Sequence, residues 1–362
     1  MKKFTKYRTL IIVPIVALLL QSCDFCSTCN TQGNGGGSYI FTTAVPINNP
    51  EPIVYRIDIE DFSIKKVADN CSIYSPPSDA GNLAAVRSIN GVEYLLLIES
   101  ETSKETILTN ENPTYGISYP VISPSDKHIA FHGGSGKLFL YNLRDKAIDK
   151  ISNSATKDIV YSFSNDGNML AFMEQNGTTL TLKIINTDNY DNVLLSYDFN
   201  NANLPLNSLQ TISWNKFNDK VVFSLDVEGQ NYIMLTKTTG ELNKISISQN
   251  LGSSSPVISE DENYVAFSAN DGNIWVRTLK SEQPEFIQIT NTLSSEKNIN
   301  PLWTSSANEL YYINQINLQG MSAYYSLYKA ELINDRDKLK YNQSTLLCNN
   351  IYNAYWKLFT KN

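Results

Sequence analysis

The sequence predicts an all-β protein, a seven-bladed β-propeller, and three observations carry that prediction. One short apolar segment recurs seven times, ending at Phe41, Val86, Phe131, Phe172, Phe223, Phe267 and Tyr312, with spacings of 45, 45, 41, 51, 44 and 45 residues. A repeat of roughly 40–50 residues built from short strands is the period of a propeller blade. After each segment comes a polar turn and a second apolar strand, as in Leu138-Phe139-Leu140-Tyr141 and Ile274-Trp275-Val276. Lastly, the chain ends hold complementary pieces of one blade. Blade 1 has no room for a first strand before Ser38, and Asn353-Ala354-Tyr355-Trp356 near the C-terminus matches Asn300-Pro301-Leu302-Trp303 of blade 7. The C-terminal strand is therefore expected to close the ring inside blade 1. Blade 1 lacks the turn signature of the others, so six blades plus an N-terminal hairpin is the competing count.

Each element has a local reason. The turn before the repeated strand reads Ser123-Pro124-Ser125-Asp126 in blade 3, Ser164-Asn165-Asp166-Gly167 in blade 4 and Ser259-Glu260-Asp261-Glu262 in blade 6. Ser, Asp and Asn side chains bond their own backbone in such turns, and Gly or Asn accepts positive φ. The strands Ile129-Ala130-Phe131, Leu170-Ala171-Phe172 and Val265-Ala266-Phe267 show no polar alternation. That pattern suits a strand covered on both faces, with the central Ala admitting the next blade closely. Hairpin tips at Asn90-Gly91, Asn176-Gly177 and Asn270-Asp271-Gly272 supply tight-turn residues. A third, more polar strand such as Ala147–Ile151 reads as the edge, where Lys discourages pairing with other sheets. Nine residues before each repeat end lies the first-strand position, held by Pro77, Ile122, Phe163, Trp214, Ile258 and Trp303.

The Ser-Pro-Asp-Gly-like turn followed by Ile-Ala-Phe and a Leu-Tyr strand resembles the TolB-type propeller repeat. The resemblance spans residues 39–362, clearest in blades 3, 4 and 6. It implies fold rather than chemistry, because propellers host unrelated activities. The sequence departs from TolB in its seven repeats, where TolB has six, in lacking a preceding α/β domain, and in its N-terminus. No partner contact of TolB transfers to a residue here.

Residues 1–22 read as a lipoprotein signal peptide. Lys2, Lys3, Lys6 and Arg8 precede an apolar run from Leu10 to Leu20, too short to span a bilayer comfortably. The run ends Leu20-Gln21-Ser22-Cys23, which resembles a bacterial lipobox and implies lipidation of Cys23. An uncleaved signal anchor is the alternative, with the same topology. Residues 23–38 form a lipidated Cys and Gly-rich tether whose reach is on the order of 20 Å. The expected location is the bacterial cell envelope, anchored to a membrane on its periplasmic or cell-surface side.

Composition excludes some partners. Without the four leader cations the balance is 25 cations against 36 carboxylates, with no Lys/Arg cluster. An acidic exported protein of this kind argues against nucleic acid and against electrostatic adhesion to anionic lipid. Cys26 and Cys29 extend a Cys-x2-Cys-x2-Cys run from Cys23, read as a local disulfide or mixed redox states rather than a metal site. Cys71 and Cys348 fall in loops preceding inner strands on either side of ring closure and form a candidate disulfide.

No catalytic constellation emerges, and no cofactor or metal is expected. His128 and His132 sit four apart on one strand, about 13 Å from end to end, too far to share an ion. His132-Gly133-Gly134-Ser135-Gly136 imitates an esterase oxyanion motif but occupies a hairpin with no nucleophile elbow. Asp126, Asp166 and Asp261 are turn formers. The 21 tyrosines fall mostly on strand positions, where aromatic residues are favoured. Two stretches break the repeat, Asp198–Asn207 and Asn314–Met321, and over-long loops of this kind either carry binding or are tolerated insertions. The reading is a monomeric, lipid-anchored binding or assembly module for a protein or envelope component. An enzyme acting on a glycan or lactone through acidic residues at the central channel is the alternative, and a purely structural envelope protein a third.

Overall fold

Two-residue hairpins organise the chain into blades. Asn90-Gly91 joins the strands Asn82–Ile89 and Val92–Glu99 with φ of 54° and 79°, and Glu228-Gly229 joins Lys220–Val227 and Gln230–Lys237 with φ of 55° and 78°. Positive φ at both central residues matches the twist of the flanking strands, which is why Gly holds the second position. The structure is a computed structural model, and it describes residues 38–360 apart from 45–50, 59–62, 110–115, 134–135, 153–159, 204–211, 241, 247–250, 281–284, 294, 305–307, 318–323, 336–337 and 350–357.

These hairpins build seven antiparallel sheets, so the protein is an all-β, seven-bladed propeller. Blade 2 runs Ser72–Ile73, Asn82–Ile89, Val92–Glu99 and Lys104–Ile107 from its first strand to its last. Blade 3 uses Ser118–Ile122, His128–His132, Leu138–Asn142 and Ile148–Lys150, and blade 4 uses Val160–Phe163, Met169–Asn176, Thr179–Asn186 and Val193–Asn200. Blade 5 pairs Ser213–Trp214, Lys220–Val227, Gln230–Lys237 and Leu242–Ser246. Blade 6 comprises Ser254–Ile258, Tyr264–Ser268, Ile274–Thr278 and Phe286–Gln288, and blade 7 comprises Glu296–Trp303, Glu309–Ile316, Tyr324–Asp335 and Lys338–Asn349. In blade 1, Ser38–Ala44 pairs on one side with Ile53–Asp58, itself followed by Ile64–Asp69, and on the other with Leu358–Thr360. The Asn353–Trp356 segment expected in that place lies outside the described residues.

Seven apolar clusters fill the seven seams between blades. Phe131, Phe172, Phe223 and Phe267 are at most 1 % exposed, and each packs back onto the preceding blade. The alanine beside the Phe turns the other way: Ala130 meets Phe163 and Phe172 of blade 4, where a larger side chain would hold the blades apart. The seam between blades 7 and 1 is built from Ile40, Ile57, Tyr311, Ile313 and Leu327.

Two repeat positions sit in a different register from the one expected. In blade 2 the turn closes from Ser78 N–H to the carbonyl of Asn82, whereas in blade 3 it closes from Ser123 to His128. The blade 2 turn is thus one residue shorter. Ala85, not Val86, occupies the buried Phe position, and Val86 is only half-buried. In blade 1, Phe41 packs towards blade 2 with Val54 and Leu83, and Ile40 takes the face towards blade 7. Side chains alternate along a strand, so a slip of one residue exchanges the two faces.

The repeated turns also join neighbouring blades. Asn82 Nδ2 donates to Asp126 at 2.9 Å, Asn165 Nδ2 donates to Asn218 at 2.9 Å, and Asn215 and Lys220 both donate to Glu262. The indoles do likewise on the first strands: Trp214 Nε1 donates to the Ser162 carbonyl at 3.0 Å and Trp303 Nε1 to the Val257 carbonyl at 3.1 Å. The acidic turn residues therefore have structural partners. Asp166 accepts from Ser164, at 2.6 Å, and from Asn168; Asp261 accepts from Ser259, also at 2.6 Å, and from Asn263.

Candidate functional site

The first strands of blades 4, 5, 6 and 7 lie successively against one another. Strands that meet in this way are the ones nearest the propeller axis, so their outward-turned residues define the axial surface. Among the described residues, these first strands carry a single carboxylate, Glu296. The acidic channel that the enzyme reading requires is therefore not formed by the described first strands.

An aromatic arc lies there instead. Tyr74 of blade 2 meets Tyr119 of blade 3 edge-on at 4.9 Å between ring centroids. Tyr119 in turn meets His132 at 5.8 Å, and His132 meets Tyr161 of blade 4 at 5.1 Å. The Tyr161 hydroxyl donates to the Tyr119 carbonyl. Tyr119 is 46 % exposed while His132 is buried, so the arc presents a ring supported from behind. Tyr119 reaches this position through a bulge, where the register with the next strand jumps from Ser118 to Val121 and its φ is +54°. The same device recurs at Ser255 (φ 51°) and Asn300 (φ 52°), each, like Tyr119, preceding a proline. Bulges re-aim side chains and frequently stand beside functional surfaces. At Ser255 and Asn300 the result is a bond between blades, Ser255 Oγ to Asn300 Oδ1 at 2.9 Å. At Tyr119 it is an exposed ring.

The two histidines separate as the strand geometry requires. His128 pairs across the strand with Asn142 and His132 with Leu138. Burial holds the His128 pKa below its ordinary value, with Asp188 opposing and Lys127 assisting. Among the described residues no group of three or more His, Cys, Asp and Glu side chains is placed to hold a metal ion.

A second concavity lies between blades 6 and 7. It has a volume of about 600 Å³ and is lined by polar and tyrosine side chains, among them Asn298, Asn314, Tyr312 and Tyr328. It adjoins one of the two repeat breaks, since Asn314 and Ile316 belong to the over-long Asn314–Met321 stretch. At the other break Val193–Asn200 completes blade 4, and Ala202–Asn203 adds to blade 5 opposite Val227 and Asp226. The described part of that insertion is structural.

Cys23, with Cys26 and Cys29, lies outside the described residues. Cys71 carries a free thiol, 1 % exposed, in the seam between blades 1 and 2. Burial pushes its pKa up to about 12, against the pull of the Arg87 guanidinium. The backbone of Cys348 pairs with Leu327 in the last strand of blade 7, and its side chain lies outside the described residues. Alkylation under native conditions is expected to spare Cys71, and alkylation in denaturant to label it, because the thiolate is the reactive form. A Cys71–Cys348 peptide pair that resists labelling until it is reduced would instead establish the candidate bond.

No family model matches the chain, and no curated protein matches it in sequence. Solved structures do resemble it. A prolyl endopeptidase is 14 % identical over 88 % of this chain and 49 % of its own, with a TM-score of 0.59. An oligogalacturonate lyase in complex with manganese is 11 % identical over 81 % of each chain, with a TM-score of 0.52. TolB from Acinetobacter baumannii is 16 % identical over 70 % of this chain and 66 % of its own, with a TM-score of 0.46. The chain thus spans about half the length of the prolyl endopeptidase it resembles. At these identities the likeness is one of fold.

Proposed function

We propose that this chain is a lipid-anchored β-propeller of the bacterial cell envelope, held to a membrane through Cys23. In this reading it binds a protein or envelope component on its axial surface. The observation that carries it is the Tyr74–Tyr119–His132–Tyr161 arc. It joins three blades and presents, within the series, an exposed tyrosine, Tyr119, aimed by a bulge. Tyrosine supplies contact area at low entropic cost and is enriched where partners bind. The basic leader and the Ser22-Cys23 junction support export and anchoring.

The enzyme alternative draws on the oligogalacturonate lyase likeness, which brings fold but no residue. With Glu296 alone on the described first strands, no pair of carboxylates stands there to share acid and base roles.

A photo-crosslinking amino acid at position 119, introduced in intact cells, tests the proposal. One reproducible adduct, lost when Tyr161→Ala is combined with it, is the expected result. Absence of any adduct, together with glycan turnover by the purified protein, would reverse the reading.

A further inference from the structure

We propose that the cleft between blades 6 and 7 is a binding site for a neutral oligosaccharide, separate from the axial arc. The cleft exists because the two blades are unequal. The last three strands of blade 6 have 5, 5 and 3 residues, while those of blade 7 have 8, 12 and 12. Blade 7 overhangs its neighbour, and part of the face that other blades bury is left open. Its volume of about 600 Å³ falls within the roughly 300–1,000 Å³ of ordinary ligand sites.

The floor is built from amides. Asn298 and Asn314 face each other across two strands, 4 % and 8 % exposed, and Asn314 Nδ2 donates to Asn298 Oδ1 at 3.1 Å. Each carboxamide has one bond to the other. Among the described residues Asn298 Nδ2 and Asn314 Oδ1 make no hydrogen bond, and both side chains line the cleft. If both amides were flipped, a donor and an acceptor would still remain side by side. An apolar ligand would leave both desolvated and unpaired, which is costly. A sugar hydroxyl both donates and accepts, and neighbouring hydroxyls match this pair.

Aromatic rings form the adjoining wall. Tyr312 and Tyr328 stack at 5.5 Å with an interplanar angle of 11°, and Tyr341, 42 % exposed, hydrogen-bonds Ser344 at the outer end. Burial pushes the Tyr312 pKa up to about 12, so the phenol keeps its proton. The facing wall from blade 6 is fixed by Asn273, which accepts from the Thr290 hydroxyl at 3.2 Å and from the Thr292 amide at 2.9 Å. Walls already held by such bonds reduce the ordering cost of binding.

Charge selects the class of sugar. No lining residue is cationic, and Glu296 is a carboxylate without an ion pair among the described residues. A uronate, sulfate or phosphate would meet that charge with nothing to offset it. A neutral chain would not.

An array of neutral and uronate-containing oligosaccharides, probed with the full chain, tests this, followed by calorimetry on the strongest binder. Binding is expected among neutral glycans only. It should weaken about tenfold in Tyr341→Ala and in Asn314→Ala, and stay unchanged in Tyr119→Ala, which belongs to the axial arc. Tyr341 is exposed, so its replacement keeps the test valid if Asn314→Ala fails to fold. Silence of every neutral glycan, preference for uronates, or affinity unmoved by Tyr341→Ala would overturn the proposal.

Discussion

Deleting residues 350–362 is expected to abolish the cooperative unfolding transition rather than shorten the protein harmlessly. Ser38, Tyr39 and Ile40 pair with Thr360, Phe359 and Leu358. Without that strand, one edge of Ser38–Ala44 loses its hydrogen-bonding partner at a place where Tyr39, Ile40 and Phe41 are 6 %, 1 % and 1 % exposed. Each buried polar group left unpaired costs about 1–3 kcal/mol. Several together approach the ~5–15 kcal/mol that holds a whole domain. The damage would not stay local, because Ile40 belongs to the seam with Tyr311, Ile313 and Leu327 of blade 7. Once that seam opens, blades 1 and 7 each have a bare face. Circular dichroism melts of the truncated and full chains make the comparison, with a chain lacking residues 24–36 as the control. A truncated chain that melts like the full one would show that the C-terminal strand does not latch the ring.

The legibility of this fold was uneven, and the reasons are physical. Strands covered on both faces have to be apolar throughout, so Ile129-Ala130-Phe131 and Val265-Ala266-Phe267 announce themselves. Tight hairpins restrict φ, so Asn90-Gly91 is equally plain. Register is harder to read. It depends on the turn before the strand, and the blade 2 turn differs from its homologues by one residue that composition does not reveal. With Leu83-Ala84-Ala85-Val86 apolar throughout, nothing in the pattern says which residue faces which blade. The candidate sites were less legible still. The bulge that turns Tyr119 outward leaves as its sequence trace only the Tyr119-Pro120 dipeptide, shared in kind with Ser255-Pro256 and Asn300-Pro301, which serve the fold. The blade 6–7 cleft follows from a mismatch in strand length, so only the enlarged Asn314–Met321 stretch hinted at it. Its facing wall, Gln288–Thr292, is contributed by another blade and carries no local signal.

That register difference yields the second large effect. Phe131→Ala is expected to destabilise the propeller by about 3–5 kcal/mol, the range for truncating a buried aromatic residue. Phe131 is fully buried, stacks on Phe139 at 5.6 Å and sits among Ala84, Leu95 and Ile129 in the seam with blade 2. The seam is lined from both blades, so little can collapse into the space left behind. If Val86 were the blade 2 counterpart of Phe131, Val86→Ala would also cost several kcal/mol. In the register observed, Val86 is half-buried, and its truncation should cost less than about 1 kcal/mol. Ala85, fully buried against Leu83, Leu96 and Phe41, should instead resist enlargement, with Ala85→Leu costing about 1–3 kcal/mol through overpacking. Chemical denaturation of the three variants separates the registers. A severe Val86→Ala beside a neutral Ala85→Leu would restore the one-residue shift and exchange the two faces of blade 2.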